Sequence, residues 1–444
     1  MRTKTATVLL LCTVFIMLLN QTLMTTAMPV IASSLNISVG LGQWLTTGYV
    51  LILGVISPMT AQLITKFSSR HLFLSILAIF LVGTIITMLN SNFWFLLLGR
   101  LIQACAGGIL ISFVQVSLLI LHRPEKRGTV LGIQALVITC APALGPTLAG
   151  IVIKLENWQA LFSFQFPIMF IILIISWFWF PNYTDSHKIH IDWLSVFCSL
   201  LGISALLIGI NLLKSNLAVS LILIIIGLLF SWWFVRRQTT LAEPTLRLTL
   251  FKKCGFRRMT LIIMLCYAAM LGGQAIVPLL LENWLNLSGF TAGLFMLPGA
   301  LLNAIFSPIA GSLYDKHGIK TVGSIGLFLS LIAEVGLVWT HAPISMMLFL
   351  IAYTCFMVGV AFLFTPAISA SLAGLTPEEL NHGTVLTNTL RQIAASFSMT
   401  ILVMITSGTP KTTMGFQISI VIILILTILG LCIFVKQVKA DKGV

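Results

Sequence analysis

The chain has 444 residues, of which 58% are hydrophobic and 8% charged, and its mean hydropathy is +1.08. That composition excludes a soluble catalytic or binding module and describes a polytopic membrane protein. The net charge of +14 would suit nucleic acid, but Lys and Arg gather in every second loop, so no nucleic-acid partner is expected.

The first apolar run follows Arg2 and Lys4 and ends in small residues near Ala27, like a signal peptide. It is longer than an h-region and a second span follows at once, so it reads as a retained first helix. A span needs about 20 apolar residues. The apolar runs predict fourteen helices, near 6–31, 44–64, 72–90, 94–121, 129–153, 160–180, 191–213, 218–235, 259–281, 290–313, 320–339, 343–372, 384–406 and 414–436. Polar hinges separate them, among them NSN at 90–92, HRPEKR at 122–127 and the basic stretch 236–258.

Charge sets the orientation. With the N-terminus inside, the inner segments hold Lys66, Arg70, Arg123, Lys126, Arg127, Arg236, Arg237, Arg257, Arg258, Lys316, Lys320 and the basic tail, whereas the outer loops hold Lys154, Lys214 and Lys411. Both termini are therefore expected in the cytoplasm, with an even number of helices. The eight cysteines are scattered without a C-x-x-C pair or a His cluster, and they read as small apolar residues; neither metal nor cofactor is expected.

In the fifth predicted helix lies CAPALGPTLAG, Cys140 to Gly150. Ala141, Gly145 and Ala149 recur every four residues and share one face, where a neighbouring helix can approach closely. Gly145 and Pro146 also remove a side chain and a backbone donor at adjacent positions. The stretch is either a kinked packing helix or the hinge and seal of a carrier, with Gly150 at its outer end.

A weak internal repeat pairs AQLITKFSSR (61–70), after helix 2, with GSLYDKHGIK (311–320), after helix 10. The equivalent loops are eight helices apart, so two helices separate two six-helix halves. The expected architecture is an all-α membrane protein of six, two and six helices: residues 1–185, an insert at 186–240 that reaches the central loop, and 241–444. In the second copy Gly311 allows close packing, Gly318 a tight turn, and Asp315, beside Lys316, can cap a helix or pair with a cation to lock an inner gate. The first copy lacks the acid, with Thr65 in its place.

GSLYDKHGIK matches the loop signature of the major facilitator superfamily, and ALGPTLAG resembles the fifth-helix signature of its antiporters, with Ala141 and Ala149 replacing two glycines. LNQTLMTTAMPVI (19–31), WLTTGYVL (44–51), GRLIQACAGG (99–108), PEKRGTVLGI (124–133), DWLS (192–195) and TNTLRQIAAS (387–396) look like the fourteen-helix drug:proton antiporters of the EmrB/QacA type. The resemblance implies the major facilitator fold, a transporter and not an enzyme, export over import, and proton coupling through Arg100.

Arg100 lies inside helix 4, where a cation is costly and marks a function or a tie to backbone carbonyls. No acid lies within helices 1 to 6; Asn20 and Gln21 stand where many relatives of that family carry one. They can hydrogen-bond Arg100 or a substrate but carry no proton. Of eleven acids, Glu334 in helix 11 and Glu282 at the outer end of helix 9 remain as coupling candidates, because an embedded carboxyl can take up and release a proton. Glu334 sits on a helix that the resemblance makes peripheral, and Glu282 at a solvated rim. Arg391 in helix 13 can pair with a carboxyl or help close the inner gate. Tyr49, Phe364, Tyr267 and Met357 suit an adaptable apolar pocket; Gln115 and Asn303 are polar points that serve a ligand or glue helices.

The expected function is proton-driven export of amphipathic cationic or zwitterionic drugs from a bacterial cytoplasmic membrane, by a monomer, with the bilayer and protons as further partners. The alternative is a symporter or facilitator for a small polar metabolite.

Overall fold

A computed structural model describes the backbone of all residues except 1, 38, 43, 185–191, 214–215, 242–243, 245, 286–288, 340–345, 410–411 and 441–444. Side chains are also left undescribed at 2, 25–26, 29, 39–40, 47, 51, 142–143, 146–147, 193, 211, 282–285, 289–290, 377–378, 407–408, 412 and 440. The described chain is helical, without a strand. Its helices are α1 (Arg2–Ser34), α2 (Val39–Gly42), α3 (Trp44–Ile56), α4 (Thr60–Lys66), α5 (Ser69–Leu89), α6 (Phe93–Leu121), α7 (Arg127–Leu155) and α8 (Ala160–Trp179). There follow α9 (Trp193–Leu212), α10 (Leu217–Thr240), α11 (Cys254–Leu285), α12 (Gly289–Val338), α13 (Met346–Leu372), α14 (Pro377–Gly408) and α15 (Thr412–Ala440). A helix satisfies every backbone group internally, which is what an apolar chain in lipid requires.

Among the described residues, eleven helical spans are long and apolar enough to cross a membrane, and a shorter apolar helix covers Leu194–Ile210. Predicted helices 10 and 11 fall on one 50-residue run, α12, broken at Gly318, whose φ of 71° is open to glycine and strained for other residues. Predicted helix 13 begins seven residues earlier than its apolar run, at Pro377. The reason is local: Thr376 and Glu379 form a capping box, each side chain bonded to the other's backbone, and Pro377 opens the first turn. Asp192 caps the start of α9, accepting from the N–H of Ser195 (3.4 Å) and from its hydroxyl (2.5 Å).

The chain divides into two compact units. Unit 1 comprises Met1–Leu121, Val137–Leu200 and Thr240–Leu246. Its core gathers Leu19, Met24, Ala27, Leu96, Ala141, Ala149, Trp158 and Phe162. Glycines set its helix spacing: a Cβ on Gly83 would stand 2.7 Å from the Gly99 carbonyl, and one on Gly108 2.6 Å from that of Leu53. The start of α5 is pinned to the segment after α8. Ser69 receives the Tyr183 N–H (3.0 Å) and donates to Asn182 (3.0 Å), and Phe73 stacks on Phe180 with ring centroids 4.4 Å apart.

Unit 2 comprises His122–Leu136, Leu201–Thr239 and Arg247–Val444. Here α12 and α13 meet at Gly326 and Gly359, where an added Cβ would lie 2.7 Å from the backbone nitrogens of Leu363 and Ser330. The hairpin of α9 and α10 closes on Gly202, Gly209 and Gly227, and Ser220 donates to the Gly209 carbonyl (2.7 Å).

Candidate functional site

In unit 1 the polar residues of five helices converge on Arg100. Its side chain is fully buried, and its guanidinium carbon lies 4.1 Å from the ring centre of Tyr49, itself 1% exposed. Nε donates to the Leu45 carbonyl (3.4 Å), and one terminal nitrogen donates to Asn20 Oδ1 and to Gln103 Oε1 (3.0 Å). Gln103 donates onward to Thr84 (2.9 Å), and Asn20 donates to Gln165 (2.6 Å). The second terminal nitrogen has no partner among the described residues. A buried cation is tolerable when several acceptors and a ring face share it, and that is the arrangement here. Gln103 and Gln165 escaped the sequence reading. Gln103 had a usable signal, since i+3 on a helix places it on Arg100's face. Gln165 stands just before Pro167 in an otherwise apolar run, where it reads as incidental.

Gln21, half-buried, and Tyr49 line a narrow crevice of about 10 Å³ with Val14, Met17, Leu53 and Gly107. Gln115 is buried, with no partner for its amide nitrogen among the described residues. Ala141 and Ala149 are fully buried, and a Cβ on Gly145 would collide with Thr22 of α1, so the small face of α7 is a packing surface. A Cβ on Gly150 would meet nothing within 4 Å. The side chain of Pro146 lies outside the described residues, and α7 runs through it as helix.

In unit 2, Arg391 is 4% exposed, with its guanidinium carbon 5.0 Å from the ring centre of Tyr267 and 5.4 Å from that of Phe364. The two rings stack at 5.3 Å. Glu334 has no exposed surface; Oε1 accepts from Thr427 of α15 (2.7 Å), and Oε2 has no partner among the described residues. Thr427, Cys266 and Ser330 also line a narrow crevice of about 10 Å³. Glu282 lies on α11, but its side chain is outside the described residues. Asn303 donates to the Met357 carbonyl (2.6 Å), which fastens α12 to α13. Asp315 caps the start of α7 rather than the helix that follows it, Gly311 packs against Gly128 there, and Lys316 is exposed.

Known proteins share this plan. The model of the family described as "Major Facilitator Superfamily" matches residues 10–399. The lincomycin resistance protein LmrB of Bacillus subtilis is 31% identical over 459 residues, covering 96% of this chain and 94% of its own. The multidrug export protein EmrB of Escherichia coli is 26% identical over 402 residues, covering 89% and 78%. The proton:xylose symporter XylE superimposes with a TM-score of 0.70 at 13% identity over 98% of this chain and 95% of that one, a likeness of fold. A helical chain with an arginine-centred polar web, a glycine-built turn at Gly318 and a family match over most of its length is a membrane transporter and not an enzyme: the chain belongs to the Major Facilitator Superfamily, with the character of its EmrB/QacA type.

Proposed function

We propose that the chain exports amphipathic compounds in exchange for protons, by alternating access of two helical bundles. The observation that carries this reading is Glu334: a carboxyl without exposed surface, held by one donor from Thr427 and with its second oxygen unengaged among the described residues. Such a group can cycle between protonated and ionised forms as its surroundings change, which is what coupling to a proton gradient demands. The apolar surface that Val14, Met17 and Leu53 form beside Gln21 and Tyr49 supports an amphipathic ligand over a sugar-like one. So does the engagement of Asn20 and Asn303 in helix-to-helix hydrogen bonds, which leaves fewer polar groups for a small polar metabolite.

In this reading the chain crosses a bacterial cytoplasmic membrane fourteen times as a monomer, α12 supplying two spans about Gly318, with both termini inside. Arg100 holds the first bundle in register, Ala141, Gly145, Pro146 and Gly150 let α7 slide against α1, and Asp315 fastens the inner end. Cationic and zwitterionic substrates follow from the family resemblance, and the charge of the site, argued below, bears on that choice.

Proton release from purified full-length protein on adding a quinolone, in weakly buffered detergent, tests the coupling. Release is expected from wild type and from Glu282→Gln, and not from Glu334→Gln. Equal release from all three overturns the assignment to Glu334. Uptake of the quinolone into inside-out vesicles, abolished by a protonophore, is the expected sign of export, and its absence across a broad panel of drugs overturns that direction.

A further inference from the structure

We infer that the transported compound presents an anionic group, a carboxylate or sulfonate borne on an aromatic ring, and that Arg391 with Tyr267 and Phe364 receives it. The inference rests on the transport reading above and names the substrate class of that site.

Arg100 and Arg391 are both buried arginines on apolar helices, but they are satisfied differently. Arg100 has three acceptors, from Leu45, Asn20 and Gln103. Arg391 has no hydrogen bond and no ion pair among the described residues, and its Nε is sealed without an acceptor. Two aromatic faces attract its charge, but they supply no acceptor for N–H groups lying in the guanidinium plane. That fork matches a carboxylate with two parallel hydrogen bonds. The surroundings supply the rest of a ligand seat. Phe364 is half-buried and stacked on Tyr267, so the guanidinium lies against two aromatic rings that an aromatic acid can also meet.

The charge inventory points the same way. Among the described residues the buried charges are Arg100, Arg391 and Glu334, and Glu334 is held on α12 by Thr427 of α15. A lipophilic cation would find no carboxylate at Arg391 and would meet a like charge. An anion or zwitterion would relieve the uncompensated guanidinium, and that relief exists only while the compound is bound, so it favours loading. Of the two charge classes expected from sequence, this retains zwitterions, removes simple cations and adds anions.

The test uses one ring system in three charge states: 2-naphthoate, its methyl ester and 2-naphthylmethylammonium. Each is measured by equilibrium dialysis against the full chain in detergent, without any gradient. Naphthoate is expected to bind roughly ten- to hundredfold tighter than the ester, and the ammonium weakest. Arg391→Gln should erase the difference, and Arg391→Lys should keep part of it. Equal or tighter binding of the ammonium by wild type overturns the inference even if neither variant folds. So does an anion preference that survives in Arg391→Gln. A preference for naphthoate with no proton release would overturn antiport and leave this assignment standing.

Discussion

Asp315 accepts three hydrogen bonds from the first turn of α7, from the N–H groups of Gly128 and Thr129 (2.9 Å each) and from the Thr129 hydroxyl (2.8 Å). An anion at a helix N-terminus meets unsatisfied donors and the positive end of the helix dipole. The joint is also glycine-built, since a Cβ on Gly128 would come within 2.5 Å of the Gly311 carbonyl. Asp315→Asn keeps an acceptor oxygen but loses the charge, and is expected to weaken the joint by about 1–2 kcal/mol. Transport in vesicles should fall, because the resting states of the carrier lose their balance. Gly311→Ala, which pushes backbone from backbone, should be more damaging, and Lys316→Ala, at an exposed position, should be neutral. Full turnover by Asp315→Asn would remove this joint from the mechanism.

How far this was legible varies from residue to residue. GSLYDKHGIK announced a glycine turn and an acid close before it, but not that the acid would cap α7, because a cap is chosen by tertiary approach. Helix identities followed from apolar runs, whereas the start of α14 did not, since Thr376 and Glu379 extend it through polar sequence by capping. Arg100 and Asn20 were visible as a pair because both are polar residues in apolar spans. Thr427 was not: a lone threonine in a span usually bonds its own helix, and only the fold brings it to Glu334.

The Arg100 web predicts strong coupling between its members. Arg100→Ala leaves Asn20 and Gln103 without their shared donor and should destabilise the chain by about 3 kcal/mol. Gln103→Ala and Asn20→Ala should each cost less, and the double variant should cost less than their sum, because the two acceptors share one guanidinium nitrogen. Thermal unfolding of the purified variants checks this. Strict additivity would mean that the two amides act independently.

At the N-terminal end of α14, Thr376→Ala removes the side chain that accepts the Glu379 N–H, with an expected loss of about 1 kcal/mol. Lys253→Ala removes an ion pair of 2.6 Å whose lysine is 43% exposed, and it should cost less, because exposed pairs contribute well under about 1 kcal/mol. Melting temperatures in detergent should therefore rank wild type, Lys253→Ala and Thr376→Ala in descending order. The reverse order would make the surface ion pair, and not the cap, the element that starts the helix.

The α9–α10 hairpin depends on a seam of small residues. Only 11% of the apolar window of α10 is buried, so most of its surface lies outside any described contact. Lipid tails are as apolar as leucine, so the hydrophobic effect does not hold two helices together in a bilayer, and close backbone approach must. A Cβ on Gly227 would stand 2.7 Å from the Leu206 nitrogen and 2.9 Å from the Gly202 carbonyl, which leaves no room for a larger residue. Gly227→Val should therefore part the two helices, at about 1–3 kcal/mol, without unfolding the neighbouring core. The measurement is disulfide formation between Gly202→Cys and Ser231→Cys, positions whose atoms approach within 2.7 Å when a Cβ is placed on Gly202. Cross-linking should be efficient in the parent and drop in the Gly227→Val background while the melting temperature of the whole moves little. An unchanged yield would show that the seam tolerates bulk, and the packing of this hairpin would then need another cause.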